Sequence, residues 1–223
     1  EGGTLAGTHT FNNGATWTSG NMNSVGTTSN ASGSTFNLSN TGQNDFDNRT
    51  IENLSGGTVN WTDGALRSGG GGLFNNYGIF NDSAAGSGVT EVVNNAYGGT
   101  ALIFTNKSTG TYNKTGLGET RFDVVFNNDG IVNVDTGSLK LTGKGTSSAT
   151  GSFDVDSGAS LNFNSDYTVV DAADITGNGT VKTTSGTLTI DGQIGVNDFR
   201  IEGGTLAGTH TFNNGATWTS GNM

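Results

Sequence analysis

The chain has 223 residues, with 39 glycines, no proline, no cysteine, 31% hydrophobic and 13% charged residues, and a net charge of −10. Lack of cysteine excludes disulfide staples and thiolate metal sites, the acidity argues against nucleic acid and anionic membrane surfaces as partners, and no apolar run nears the ~20 residues of a membrane helix. A disordered chain would share the low apolar content but would also want high charge and proline; Gly, Thr, Ser and Asn with spaced Val, Ile, Leu and Phe instead predict an all-β chain of many short strands.

In chain order the first element is Glu1 to Met22, EGGTLAGTHTFNNGATWTSGNM. It returns letter for letter as Glu202 to Met223, an offset of 201 residues. A copy this clean reads as a long period beginning again. Residues 1–201 are therefore expected to be one full tandem repeat and residues 202–223 the start of the next, with ordered neighbours continuing on both sides.

A shorter period lies inside. From Gly2 to Thr50 two coils are expected, the second carrying Phe36 and Leu38. Segments from Ile51 to Gly64, Leu73 to Asp82, Ile103 to Asn113, Val125 to Gly137 and Ile175 to Gly186 each open on an apolar residue. Each then passes a polar Asn/Gly turn and alternates at period two. The opening residues Ile51, Phe74, Phe104, Phe126, Phe153, Ile175 and Ile201 are spaced by 23, 30, 22, 27, 22 and 26 residues, which predicts about eight coils of roughly 25 residues per period. Leu139 and Leu141, Phe153 and Val155, Leu161 and Phe163, and Leu188 and Ile190 each share a strand face, giving one dry and one wet side. Turns follow at Thr136-Gly137, Ser157-Gly158, Ser185-Gly186 and Asp191-Gly192, where glycine adopts positive φ without steric cost.

Strands this short in coils of this length suit a parallel β-helix, a β-solenoid that climbs ~4.8 Å per coil. One 201-residue unit would then be a rod about 40 Å long. Absence of proline agrees, since every stacked N–H is needed. Asparagine pairs after an apolar residue (Asn12-Asn13, Asn75-Asn76, Asn94-Asn95, Asn127-Asn128) are read as turn positions whose amides stack between coils. The competing fold is a row of small antiparallel sandwiches, against which hairpin Asn-Gly pairs are sparse and no module of ~90 residues recurs.

The mix of FNNxG, GTVxxxxG, TLTIDG and TFNNGATWTSG over the whole chain resembles the repetitive regions of large bacterial exoproteins, filamentous-haemagglutinin-like adhesins and autotransporter passenger domains among them. The resemblance implies a secreted, right-handed β-helix working as a stalk or adhesive fibre. The family's secretion domain and its C-terminal barrel or anchor have no counterpart in this sequence.

Candidate chemistry is thin. His9, repeated as His210, is the single histidine of the period, and no Ser/His/Asp or Cys/His set can be assembled around it. Carboxylates gather at Asp154, Asp156, Asp166, Asp171 and Asp174. Of these, Asp154, Asp156, Asp171 and Asp174 are the candidates for a calcium site on stacked turns, although the GGxGxDxUx calcium motif is absent. Paired acids could also serve polysaccharide cleavage, but basic residues are few and scattered. Trp17 and Trp61 sit in similar strands and are either glycan-stacking residues or core; the alternation with Ala15 and Val59 favours core. Tyr77, Tyr97, Tyr112 and Tyr167 would mark a glycan-binding flank if aligned on one face. Sequons beginning at Asn30, Asn37, Asn48, Asn53, Asn60, Asn81, Asn106, Asn113 and Asn178 are expected in a chain so rich in Asn, Ser and Thr. The expectation is a secreted, cell-surface structural segment of a tandem-repeat fibre (adhesin stalk, biofilm matrix or sheath filament) without catalysis or cofactor. Its partners are adjacent identical repeats and possible lateral fibre neighbours or surface glycans. Alternatives are a carbohydrate- or surface-binding module, and short subunits stacking end to end.

Overall fold

A computed structural model of the chain describes residues 3–170 and 174–223. Among them lie 28 short strands, and every pairing between strands runs parallel. The antiparallel sandwich is thereby excluded, and the chain is a β-solenoid.

Each rung lays one strand on each of three sides. Thr50–Asn53 occupies side I, Thr58–Trp61 side II and Ala65–Arg67 side III. Turns of two to five residues suffice between them in most rungs, because four strand residues alternate in–out twice and then must bend. Sides I and III join in an 18-stranded sheet and side II forms a separate sheet of 10 strands.

The inward residues of side I make one continuous column. Thr28, Ile51, Phe74, Phe104 and Phe126 follow one another in register. The column continues through Gly145, which stands two residues before the Asn128–Ser147 pair, and then Tyr167, Leu188 and Leu206. Eight steps thus carry side I from Thr28 to Leu206, about 22 residues per rung. This corrects the expected 25 residues and eight coils per period. The earlier count follows apolar opening residues that change sides: Phe126 is on side I, Phe153 and Ile175 are on side II, and Ile201 is on side III. The skipped residue is Gly145, which has no apolar side chain because the Tyr167 ring fills its place. A Cβ on Gly145 would lie 2.6 Å from Tyr167 Cε2 and 2.0 Å from the Phe126 carbonyl.

In-register stacking also orders the core rings. Phe74 and Phe104 stack at 5.0 Å and 17°, Phe104 and Phe126 at 5.3 Å and 5°, and on side II Phe80 and Tyr112 at 5.3 Å and 7°. Edge contacts such as Phe80 on Phe104, at 5.4 Å and 89°, tie the two columns together. Each such pair adds about 0.5–1.5 kcal/mol beyond its burial.

Asparagine forms two ladders. Inside, at the last position of the side I strands, Asn30, Asn53, Asn76, Asn106 and Asn128 are all buried. Each Nδ2 donates to the Oδ1 of the next at 2.8–2.9 Å. The same nitrogens also donate to carbonyls of the following rung, Thr58, Ile79, Thr111 and Ile131, at 2.9–3.1 Å. The turn out of side I is held open for these amides by glycine; a Cβ on Gly110 would lie 2.5 Å from Asn106 Oδ1 and 2.3 Å from the Asn76 carbonyl. Outside, on side II, Asn37, Asn60, Asn81, Asn113 and Asn133 form a second, half-buried ladder at 2.9–3.0 Å. Amide stacking was expected from the asparagine pairs. Only the second member of two pairs, Asn76 and Asn128, belongs to the inner ladder, whose other members are single asparagines.

Candidate functional site

The two tryptophans offered for sugar stacking are in the core. Trp17 is 6% exposed and lies parallel to Phe36 at 6.4 Å, and Trp61 is 0% exposed with its Nε1 donating to the carbonyls of Asp63 and Gly64. Neither ring presents a face to solvent. Tyr112 and Tyr167 are buried as well, while Tyr97 is exposed on another part of the surface, so the four tyrosines make no aligned flank.

The acidic candidates separate. Asp154 and Asp156 are exposed on the strand and turn of one rung. Asp135, one rung earlier, is held above the usual carboxylate range by its partial burial and then by the charges of Asp156 and Asp154. Asp154 Oδ1 accepts the Thr176 hydroxyl at 3.3 Å. Asp166 lies elsewhere, paired with Lys144 at 3.3 Å and accepting the Thr187 N–H at 3.0 Å. Asp171 lies outside the described residues, as does the side chain of Asp174. Among the described residues no three acidic or histidine side chains converge as a metal site would require.

The sequons gain a structural meaning. Asn30, Asn53 and Asn106 belong to the inner ladder and Asn37, Asn60, Asn81 and Asn113 to the outer one. At three of the outer-ladder sequons the hydroxyl two residues on caps a carbonyl of the rung below: Thr62 to Leu38, Ser83 to Trp61 and Thr115 to Asp82, at 3.2–3.4 Å. At these three outer-ladder corners the Asn-x-Ser/Thr spacing joins a ladder amide to a carbonyl cap.

Two sets of buried polar groups lie outside the sequence reading above. Arg49 is 2% exposed, yet its guanidinium has no carboxylate partner among the described residues; Nε donates to Thr28 Oγ1 at 2.8 Å and Nη1 to the carbonyls of Ser24 and Leu5 at 3.3 and 3.4 Å. Burial pulls its pKa down from the ordinary value. Asp82 and Lys114 are in-register neighbours on side II, both 0% exposed. Asp82 Oδ2 accepts the Tyr112 hydroxyl at 2.6 Å, and Lys114 Nζ donates to the Gly116 carbonyl. Burial raises the Asp82 pKa against the pull of the Lys114 charge, and burial lowers that of Lys114 against the Asp82 charge. A search for in-pointing Asp and Lys at the side II corner could have found this pair; the alternation alone places both residues on the apolar face.

Trp218 repeats Trp17 in sequence but is 54% exposed where Trp17 is 6%. Phe36 covers Trp17, and Trp218 pairs only with the rung below it, at Ile201. Phe11 and Phe212 are both partly buried against the core at the two ends of the solenoid. No family model, curated protein or solved structure matches the chain.

Proposed function

We propose that the chain is a structural segment of a secreted, cell-surface fibre built from head-to-tail 201-residue units, a stalk or matrix filament that supplies length and stiffness and carries no catalysis. The observation that carries this reading is the return of residues 1–22, unchanged, at residues 202–223. The solenoid supports it, because parallel rungs extend without limit as long as each new rung offers inward apolar residues and ladder amides. The resemblance of the rung motifs to bacterial exoprotein repeats supports the extracellular setting, and sparse, dispersed acidity would keep such a rod soluble and self-repelling. The partners of this reading are neighbouring units of the same chain.

The test is the native product. Long-read sequencing of the parent gene, with the mass of the protein recovered from washed cell surfaces, should give several 201-residue units in one chain. A native product near 22.7 kDa, or one retained inside the cell, would overturn the reading.

A further inference from the structure

The same 22 residues lie on different sides in their two occurrences. In the first, Thr4 bridges Asn21 and Asn21 bridges Asp45 on side III. His9–Phe11 pairs with Thr28–Asn30 on side I, and Ala15–Trp17 pairs with Phe36–Leu38 on side II. In the second, Thr205 pairs with Thr187 on side I, His210–Phe212 with Gly192–Ile194 on side II, and Trp218 with Ile201 on side III. Every landmark has advanced by one side in the same sense.

The segment keeps two of its internal contacts in both places. The Thr4–Asn21 bridge recurs as the pair Thr205–Asn222, and the indole bond from Trp17 to the Gly20 carbonyl recurs from Trp218 to Gly221, at 3.2 Å both times. The coil has turned as a body about the solenoid axis. Following side III upward from Thr4 gives Asn21, Asp45, Arg67 and Asn94. The side then runs on through Phe122, Leu141, Phe163, Thr183 and Ile201. That is nine rungs, and Thr205 stands one side beyond.

We infer that the end face around Leu188, Ile194 and Ile201 receives the next 201-residue unit, which residues 202–223 begin, turned by one side, so that successive units are related by nine and one-third rungs. This rests on the tandem reading above and adds the geometry of the junction. Nothing local opposes the turn, since the contacts that residues 4–22 make with residues 23–50 lie within one unit and travel with it. The guanidinium of Arg49 on the Leu5 carbonyl and the stack of Phe36 on Trp17 are among them. A unit would rise about 45 Å, and a given side would recur only after three units, roughly 135 Å. A lateral partner bound along one flank would therefore meet the outer asparagine ladder once in three units.

The chain has no native cysteine, so paired cysteines report the turn directly. Gln193 and Thr211 are exposed and in register on adjacent strands, a Cα separation of about 4.8 Å that a disulfide accepts. In an unturned junction Thr211 would instead lie on side I, above Thr189. Gln193→Cys/Thr211→Cys and Thr189→Cys/Thr211→Cys are oxidised in the 223-residue chain and in a chain of two joined units. In both lengths the first pair is expected to cross-link with more than about tenfold preference over the second. In the two-unit chain, preference for the second pair, equal linking of both, or linking of neither overturns the inference. The tandem reading fails separately, on the parent gene. A single-unit gene with the first pair linked would leave the turned coil intact and remove its fibre.

Discussion

Asn106 sits in the middle of the inner ladder, and Asn106→Ala is the sharpest probe of what that ladder contributes. The side chain accepts from Asn76 Nδ2 at 2.9 Å and donates to Asn128 Oδ1 and the Ile131 carbonyl, both at 2.9 Å. Truncation does not orphan everything. Asn76 Nδ2 keeps the Thr111 carbonyl at 3.1 Å, and Asn128 Oδ1 keeps the Gly130 N–H at 3.2 Å. What is lost is three bonds, the one to the Ile131 carbonyl among them, at about 0.5–1.5 kcal/mol per bond with a surcharge for any unpaired group. The expected loss is about 2–4 kcal/mol. The outer ladder provides the control, because Asn81→Ala breaks equivalent amide bonds at a half-buried site where water can replace them, and should cost less than about 1 kcal/mol. Equilibrium urea unfolding gives both values, and amide exchange places the weakened rungs around Thr111 and Ile131. Equal losses at Asn106 and Asn81, or a loss below about 1 kcal/mol at Asn106, would refute the view that burial is what makes the inner amides matter.

Removing one member of the buried pair, Lys114→Met, should cost about 3–5 kcal/mol at pH 7, whereas Asp82→Asn/Lys114→Met, which keeps an acceptor for Tyr112, should be neutral or stabilising. Urea midpoints decide, and a double variant as weak as the single one would contradict it. The pH dependence follows from the same pair. The Asp82 pKa is raised in the fold, so its contribution is full below the unfolded value of 3.8 and is lost as pH rises through the folded value. The Lys114 pKa is lowered, so its contribution is full above 10.5 and is lost as pH falls through the folded value. The Lys114→Met deficit should therefore shrink on acidification toward pH 4, and a deficit that grows would reverse the assignment. Gly145→Ala should cost about 1–3 kcal/mol or more by driving a methyl into the Phe126 carbonyl and the Tyr167 ring; an unchanged melting temperature would show that the column tolerates a side chain there. Arg49→Met should lose about 3 kcal/mol, since its bonds are charge-assisted and buried, with exchange speeding first at Thr27–Asn30, and Arg49→Lys should not restore it.

Much of the fold was readable because each strand obeys a two-residue alternation that a solenoid cannot disguise: Leu139 and Leu141, Leu161 and Phe163, and Leu188 and Ile190 all point inward as expected. Counting rungs was harder. Sequence shows the spacing of apolar residues but not the side they occupy, and where Gly145 borrows the Tyr167 ring the count slides from one column to the next. The alternation with Ala15 and Val59 correctly favoured a core place for Trp17 and Trp61. It also concealed Asp82 and Lys114, since an inward position looks the same whether a ring or a charge fills it. Arg49 was invisible because, apart from the Thr28 and Ser24 hydroxyls, its acceptors are carbonyls of distant turns such as Leu5 and Ser24, and main-chain oxygens carry no sequence signature. The sequons were legible as letters only; at Asn60, Asn81 and Asn113 they join a ladder amide to a carbonyl-capping hydroxyl, and that needs the rung above and below.

The backbone hydrogen bonds of every rung run from one coil to the next, as from Thr58 N to Ser34 O and from Ile79 N to Gly57 O, both 2.9 Å. A pull along the rod therefore loads those bonds one layer after another. Under drag the coils would peel singly from an end, each releasing about 22 residues and some 70 Å of slack for the ~5 Å it had occupied. A filament made this way would yield to a current by lengthening in steps, and would wind itself up again when the current slackened.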